Sequence, residues 1–173
     1  MRFFLLVVLL CASPLLNGCS PTFNWRDVRP AQTRLEALFP CKPDQGERVV
    51  KLGAKDLTMT MLACDAGGIK FALAYAEVKD SAMTGAVLAQ WKTATLRNLR
   101  ALSVTEQPFT LKGANALSPP VLLVAPGTRP DGRAVVLQAV WFAAGSVVFQ
   151  AAMYADTANS AVADTFFAGL QLR

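Results

Sequence analysis

The chain contains no histidine among its 173 residues. A Ser-His-Asp triad or a Cys-His pair is therefore impossible, and so is a zinc site with imidazole ligands. The sequence also lacks a Ser-x-x-Lys or Gly-x-Ser-x-Gly stretch that could supply another activated nucleophile. These absences argue against a hydrolase and predict a protein that is not an enzyme, with no metal centre and no cofactor.

Charged residues are few and scattered. They make up 17% of the chain, and the net charge of +5 is spread along it rather than gathered into a basic patch. The aspartates stand mostly in turn or helix-cap positions, where this side chain has a structural role, and none has the spacing of a calcium loop. We therefore expect no nucleic-acid partner and no calcium site.

A membrane-spanning helix needs about 20 consecutive apolar residues, and no segment fits this requirement well. The longest candidate, residues 134–155, is interrupted by Gln138 and Gln150 and contains the turn-like sequence Ala143-Ala144-Gly145-Ser146. β-branched and aromatic residues dominate it, which favours strands over a helix. We predict two long buried strands joined as a hairpin.

The first twenty residues contain a second, shorter apolar run that ends in Leu16-Asn17-Gly18-Cys19. One positive charge, a short apolar segment and small residues before a cysteine resemble a bacterial lipoprotein signal peptide. The resemblance implies removal of residues 1–18, a diacylglycerol thioether on Cys19, and a further acyl chain, normally palmitate, on its amine. Two or three such chains hold a protein on a membrane essentially permanently. Ser20 at the next position resembles lipoproteins of the outer membrane, so we expect a periplasm-facing, lipid-anchored envelope protein.

Four cysteines are present, of which Cys11 lies in the predicted signal peptide and Cys19 is the predicted lipidation site. Cys41 and Cys64 remain, and two leftover cysteines in an oxidising compartment usually pair. The Cys-x-x-Cys spacing of redox pairs and metal sites is absent. We therefore predict a structural disulfide between Cys41 and Cys64.

Residues 19–33 are predicted to form the lipidated N-terminus and a tether, because they contain two prolines and no hydrophobic period. Trp25, Arg26 and Arg29 are more than a plain linker requires. These side chains dock on the domain, rest at an anionic membrane surface or contact a protein partner. We take them as the candidate partner contact.

The remaining residues, 34–173, predict a single globular domain. Alternating apolar residues predict a hairpin over residues 48–64 and a strand over 69–76. Apolar residues at three- and four-residue steps then predict a long helix over residues 84–102, and a shorter helix is expected over 160–168. Strands, helix, strands and helix in this order predict an α+β domain, in which an antiparallel sheet carries both helices.

This layout resembles the PsbP-like fold, which the extrinsic photosystem II protein shares with a Ran-binding import factor. The resemblance covers residues 35–173 and includes Phe39-Pro40 and the stretch Phe166-Phe167-Ala168-Gly169-Leu170. The stretches Trp25-Arg26-Asp27-Val28-Arg29 and Phe39-Pro40-Cys41-Lys42-Pro43-Asp44 are similar to segments of a group of uncharacterised proteobacterial lipoproteins. Such families imply scaffold or assembly factors more often than enzymes.

Two functions are compatible with the sequence. The first is a non-catalytic binding or assembly module that contacts another envelope protein, and the alternative is a carrier of a small ligand or lipid. The carrier requires a pocket between the long helix and the sheet, beneath Trp91, although a Trp in such a helix stripe is normally a core residue.

Two further sets of polar residues have competing interpretations. Gln138 and Gln150 either face outward as a cross-strand amide pair, which we expect, or line a pocket. Lys42, Arg48 and Lys51 form a small basic surface near the disulfide, for which a solvated face is the default expectation.

Overall fold

The structure is a computed structural model that describes residues 21–52 and 55–173. The predicted signal peptide and Cys19 lie outside these described residues. The part described contains ten strands, two α-helices and one short 3-10 helix at Ser81–Met83. The strands are β1 (Arg26–Val28), β2 (Leu35–Phe39), β3 (Asp44–Leu52), β4 (Lys55–Ala66), β5 (Ile69–Glu77), β6 (Thr105–Pro108), β7 (Val121–Thr128), β8 (Ala134–Ala144), β9 (Val147–Ala155) and β10 (Gln171–Leu172). The helices are α1 (Thr84–Leu99) and α2 (Ser160–Ala168).

Seven of the strands form one antiparallel sheet in the order β3-β4-β5-β9-β8-β7-β6. Its centre joins the two halves of the chain, since β5 pairs with β9. The predicted hairpin over residues 134–155 is confirmed as β8 and β9. Gly145 closes their turn at a φ of +61°, a backbone conformation that costs glycine little.

Helix α1 covers one face of this sheet, with Val87, Leu88, Trp91 and Leu99 buried against it. The small residues Ala74 and Ala76 of β5 belong to the same apolar core. The predicted helix is confirmed, but its end is not. Arg100 adopts a left-handed conformation at a φ of +52° and ends α1 at Leu99. Leu102, which the sequence placed on the apolar stripe, is consequently 80% exposed.

Helix α2 and a second, three-stranded sheet of order β1-β2-β10 lie on the opposite face. The Phe166 ring of α2 contacts those of Phe39 and Phe71, at centroid distances of 5.6 and 5.2 Å. Asn159 caps the helix by accepting a hydrogen bond from the Val162 amide. The chain is therefore a three-layer α+β domain with two apolar cores, and the α+β prediction is confirmed.

The described part of the predicted tether is docked on the domain, so the domain begins earlier than residue 34. Strand β1 pairs antiparallel with β2, and the Asn24 amide donates to the Pro40 carbonyl at 2.7 Å. The Trp25 ring meets the edge of Phe71 at a centroid distance of 6.2 Å. Docking was one of the three alternatives that the sequence left open, and pairing with β2 explains it because a free segment would leave that strand edge unpaired.

A buried carboxylate joins this N-terminal segment to the C-terminus. The Glu36 side chain on β2 accepts a hydrogen bond from Arg29 at 3.1 Å and forms an ion pair with Arg173. Burial alone raises the pKa of the Glu36 carboxyl, but the two arginines outweigh burial and lower it below its ordinary value. Glu36 therefore stays ionised at neutral pH and ties both ends of the domain to β2.

The predicted disulfide between Cys41 and Cys64 is present and links the segment after β2 to strand β4. It therefore fastens the three-stranded sheet to the seven-stranded sheet. In residues 21–52 and 55–173, no helix is both long enough and apolar enough to cross a membrane.

The end of α1 meets β7 at Gly127, where a larger residue does not fit. A Cβ atom at this position would lie 2.5 Å from the Leu99 carbonyl oxygen, which is backbone and cannot rotate away. We expect Gly127→Ala to lower the free energy of unfolding by about 1–3 kcal/mol through overpacking. Urea denaturation measures this loss.

Gly46→Ala in strand β3 is the matched control, because no described atom outside its two chain neighbours would lie within 4 Å of a Cβ at this position. Its free energy of unfolding should stay within about 0.5 kcal/mol of the wild-type value. Equal effects of the two substitutions would show that the contact between α1 and β7 is looser than described here.

Candidate functional site

A groove of about 690 Å³ lies between the sheet and the C-terminal half of α1. We call it the α1 groove. Its helix wall consists of Trp91, Ala94, Thr95, Asn98 and Leu99. The volume is within the range of about 300–1,000 Å³ that small-molecule sites occupy. The position is that required by the carrier alternative, because Trp91 forms part of the wall.

The floor of the α1 groove is apolar and comes from the sheet. It is formed by residues of β3, β4, β5 and β8, namely Val50, Leu52, Met59, Met61, Ala74 and Val135. Their side chains share one face because they alternate along antiparallel strands in register. The two methionines are flexible and polarisable, so this floor can adapt to apolar ligands of different shape. Trp91 is thus both a core residue and a wall of the groove.

The rim of the groove is basic. Arg48 and Lys51 come from β3, Lys70 from β5, and Arg129 and Arg133 from the end of β7 and the loop before β8. Asp131 is the one carboxylate among the described lining residues. The Arg133 Nε donates to it at 2.8 Å, and this hydrogen bond lowers the pKa of the Asp131 carboxyl below its ordinary value.

Neutral hydrogen-bonding groups lie between the floor and the rim. The Gln150 side chain of β9 donates to the Thr95 hydroxyl of α1 at 3.3 Å, which links the two walls. Tyr154, also on β9, lines the groove, and burial raises the pKa of its phenol. Tyr154 therefore remains a neutral donor at physiological pH.

The two glutamines do not form the cross-strand pair that we expected. Gln138 faces the α2 side, where its side-chain oxygen accepts a hydrogen bond from the Asn159 amide at 3.3 Å. Gln150 faces the α1 side and lines the groove. The pocket interpretation therefore holds for Gln150 alone. The register of β8 and β9, which sets Gln150 opposite Trp141 and Gln138 opposite Met153, sends the two side chains to opposite faces.

The residues singled out in the N-terminal segment lie far from this groove in the fold. Trp25 packs on the α2 side through Phe71, and Arg29 binds Glu36. Arg26 is half-buried and donates to the Asn24 carbonyl. Of the three basic residues near the disulfide, Arg48 and Lys51 line the α1 groove, and Lys42 is not among the described lining residues.

Sequence reasoning missed most of the polar residues of the groove, including Thr95, Asn98, Arg129, Arg133 and Tyr154. Thr95 and Asn98 lie about one and two helical turns beyond Trp91 on the same side, which is the signal that could have indicated them. The arginines gave no such signal because a loop places them beside α1. Among the described residues, no group of three or more Cys, Asp or Glu side chains is close enough to hold a metal ion.

The contacts of Trp25 lead to a testable prediction. Because its ring is partly buried against Phe71, we expect Trp25→Ala to cost about 2 kcal/mol, less than a fully buried Trp. For a domain of this size the midpoint of thermal unfolding should fall by about 4–8 °C. Such a loss would make Trp25 part of the fold, whereas the sequence analysis took it as a candidate partner contact.

Arg26→Ala in the neighbouring position is the control, since its one side-chain hydrogen bond in the described structure is exposed to solvent. It should leave the midpoint almost unchanged. If the two variants have the same midpoint of thermal unfolding, Trp25 does not stabilise the fold, and the hypothesis that it contacts a partner regains support.

Comparison with known proteins adds little to this description. No family model matches the chain, and no curated protein sequence matches it. A solved structure of a Pseudomonas aeruginosa protein of unknown function is similar, with 13% sequence identity and a TM-score of 0.38 over 76% of this chain and 83% of that chain. At that TM-score the likeness carries no argument about function.

Proposed function

We propose that this protein is a lipid-anchored envelope protein that binds a small apolar ligand in the α1 groove without transforming it. The observation that carries the proposal is the groove itself, about 690 Å³ of space above an apolar floor. Such concave, mostly apolar sites with a few placed polar groups are typical of small-molecule binding. The carrier alternative is thereby favoured over the partner-binding module.

A protein partner was proposed on the assumption that Trp25, Arg26 and Arg29 make no contacts that stabilise the fold. Two of them do make such contacts, because Trp25 packs against Phe71 and Arg29 forms an ion pair with Glu36. A partner contact through these residues stays a prediction, and it now has less support than ligand binding in the α1 groove.

The groove's own chemistry supports a binding role over a catalytic one in this proposal. Acid–base catalysis needs a group that exchanges a proton near neutral pH. Asp131 does not meet this need, because its pKa is lowered by Arg133. Tyr154 does not meet it either, because its pKa is raised by burial. The remaining described polar residues of the groove are cations, amides and hydroxyls without a base beside them.

Localisation to the cell envelope and lipid anchoring at Cys19 are part of the proposal. They are supported by the signal-like sequence through Cys19 and by the disulfide, which suits an oxidising compartment. The outer membrane and the PsbP-like layout are proposed on the sequence resemblance alone. Anchoring would place the α1 groove beside a membrane that is rich in apolar ligands.

Photocrosslinking of the full-length lipoprotein in envelope vesicles tests ligand binding. The probe is hexadecanol carrying a diazirine, which labels the residues that it contacts. We expect labelled peptides to come from β4 and α1, which form the floor and wall of the groove. Labelling confined to the N-terminal lipid region, or spread evenly over the surface, would contradict the proposal.

Two tryptophan substitutions in α1 separate the groove from the rest of the surface. Ala94→Trp puts a bulky side chain in the groove wall, and Ala89→Trp puts the same side chain on the exposed surface of the same helix. Labelling should fall by about tenfold or more in the first variant, an affinity loss of about 1.4 kcal/mol, and stay unchanged in the second. Equal labelling of both variants would remove the groove as the site.

A further inference from the structure

We infer that the ligand of the α1 groove is a single-chain amphiphile with an anionic head group. Its chain lies on the apolar floor, and its carboxylate or phosphate meets the basic rim. This inference rests on the proposed function and adds the chemical class of the ligand to it.

The charge of the rim is the first observation. Five of the six described charged side chains that line the groove are basic. Lys70, Arg129 and Arg133 each have an acidic partner, namely Asp65, Asp156 and Asp131. Arg48 and Lys51 have no ion-pair partner among residues 21–52 and 55–173. An uncharged ligand would leave this excess positive charge without a counterpart, whereas an anion complements it.

Arg129 supplies the second observation. Its Nη2 atom reaches Asp156 at 3.3 Å, but its Nε atom is buried and has no hydrogen-bond partner within the described structure. A buried donor without a partner is costly, and a cationic one more so. The Nε atom itself is closed to an oxygen in the groove, but the Arg129 side chain is 28% exposed, and an anionic head group beside it would stabilise this incompletely paired cation. The planar guanidinium suits both carboxylate and phosphate oxygens.

The floor and the size of the groove define the rest of the ligand. Met59, Met61 and Trp91 offer a polarisable apolar surface, which suits a flexible alkyl chain. A volume of about 690 Å³ matches a ligand of drug-like size and argues for one chain rather than a two-chain phospholipid. Apolar floor and cationic rim together therefore specify an amphiphile.

Three diazirine probes with the same chain test the head group on the full-length lipoprotein in vesicles. They are hexadecanol, hexadecanoic acid and hexadecyl phosphate, used at about pH 8 so that the carboxyl is ionised despite its apolar surroundings. We expect both anions to label the groove peptides about tenfold more strongly than the alcohol, as hydrogen bonds to charged groups contribute more than neutral ones. The ratio of the acid to the phosphate identifies which head group the rim prefers.

Matched double variants establish that the rim causes the preference. Arg48→Gln/Arg129→Gln removes two charges from the rim, and Lys42→Gln/Arg97→Gln removes two charges from outside the groove. The rim variant should lose the tenfold preference for anions and keep its labelling by the alcohol. The control variant should behave as wild type.

The possible failures are distinguishable. Equal groove labelling by all three probes, or a preference that survives in the rim variant, would overturn the anionic ligand and leave the apolar ligand site standing. Groove labelling by none of the probes would overturn the proposed function together with this inference.

Discussion

Cys19→Ala is expected to move the protein from the membrane fraction to the soluble fraction. Two or three acyl chains on one residue bind a membrane essentially permanently, and the alanine variant can carry none of them on its side chain. The apolar run before Cys19 is too short to replace them as a comfortable membrane span. The precursor should also remain unprocessed by the lipoprotein route. Cell fractionation and the mass of the protein measure both effects.

Cys11→Ala is the control for this experiment, because Cys11 precedes the predicted cleavage site and should carry no lipid. Its processing and membrane association should match those of the wild type. A Cys19→Ala variant that still sediments with membranes after a high-salt wash would contradict lipid anchoring. Residues 134–155 would not explain such a result as a spanning helix, since they form β8 and β9.

The second large effect is expected from loss of the disulfide. Cys41 and Cys64 are 23 positions apart in sequence, and closing a loop of this length stabilises a fold by about 3 kcal/mol in the chain-entropy model. The double variant Cys41→Ala/Cys64→Ala should therefore melt about 6–12 °C below the wild type. The bond holds the segment after β2 on β4, so the three-stranded sheet should be the first part to lose protection from amide hydrogen exchange.

Reductant provides the internal control. Reduced wild-type protein should melt near the double variant, and reductant should not change the midpoint of the variant itself. A double variant that melts with the oxidised wild type would show that the layers are held by packing alone. The aromatic contacts of Phe39, Phe71 and Phe166 would then be the main interaction that holds the two sheets together.

Local pattern was enough to predict most elements of this domain. The apolar periodicity of residues 84–99 produces α1, and α2 spans residues 160–168, as the sequence predicted. The alternation in residues 134–155 and the turn at Gly145 produce the β8–β9 hairpin. These features depend on residues within a few positions of one another, so the sequence carries them directly. The pairing of Cys41 and Cys64 followed from elimination, because each other cysteine had a predicted place elsewhere.

The candidate site depended on contacts that no local pattern encodes. Gln138 and Gln150 have similar surroundings in sequence, yet the first accepts a hydrogen bond from the Asn159 amide before α2 and the second lines the groove. A shift of one residue in the β8–β9 register would exchange the face of every side chain in the shifted strand. The arginine rim similarly required β3 and the loop before β8 to meet beside α1.

The sequence by itself therefore determined most of the elements, the α+β class and the pairing of Cys41 with Cys64. Lipid anchoring at Cys19 stays a prediction. Only the tertiary structure decided that β1 pairs with β2 and that a groove remains between the sheet and the C-terminal half of α1. The physical reason is that secondary structure follows from periodicity along the chain. A cavity and its charge follow from register, twist and the packing of segments that are distant in sequence.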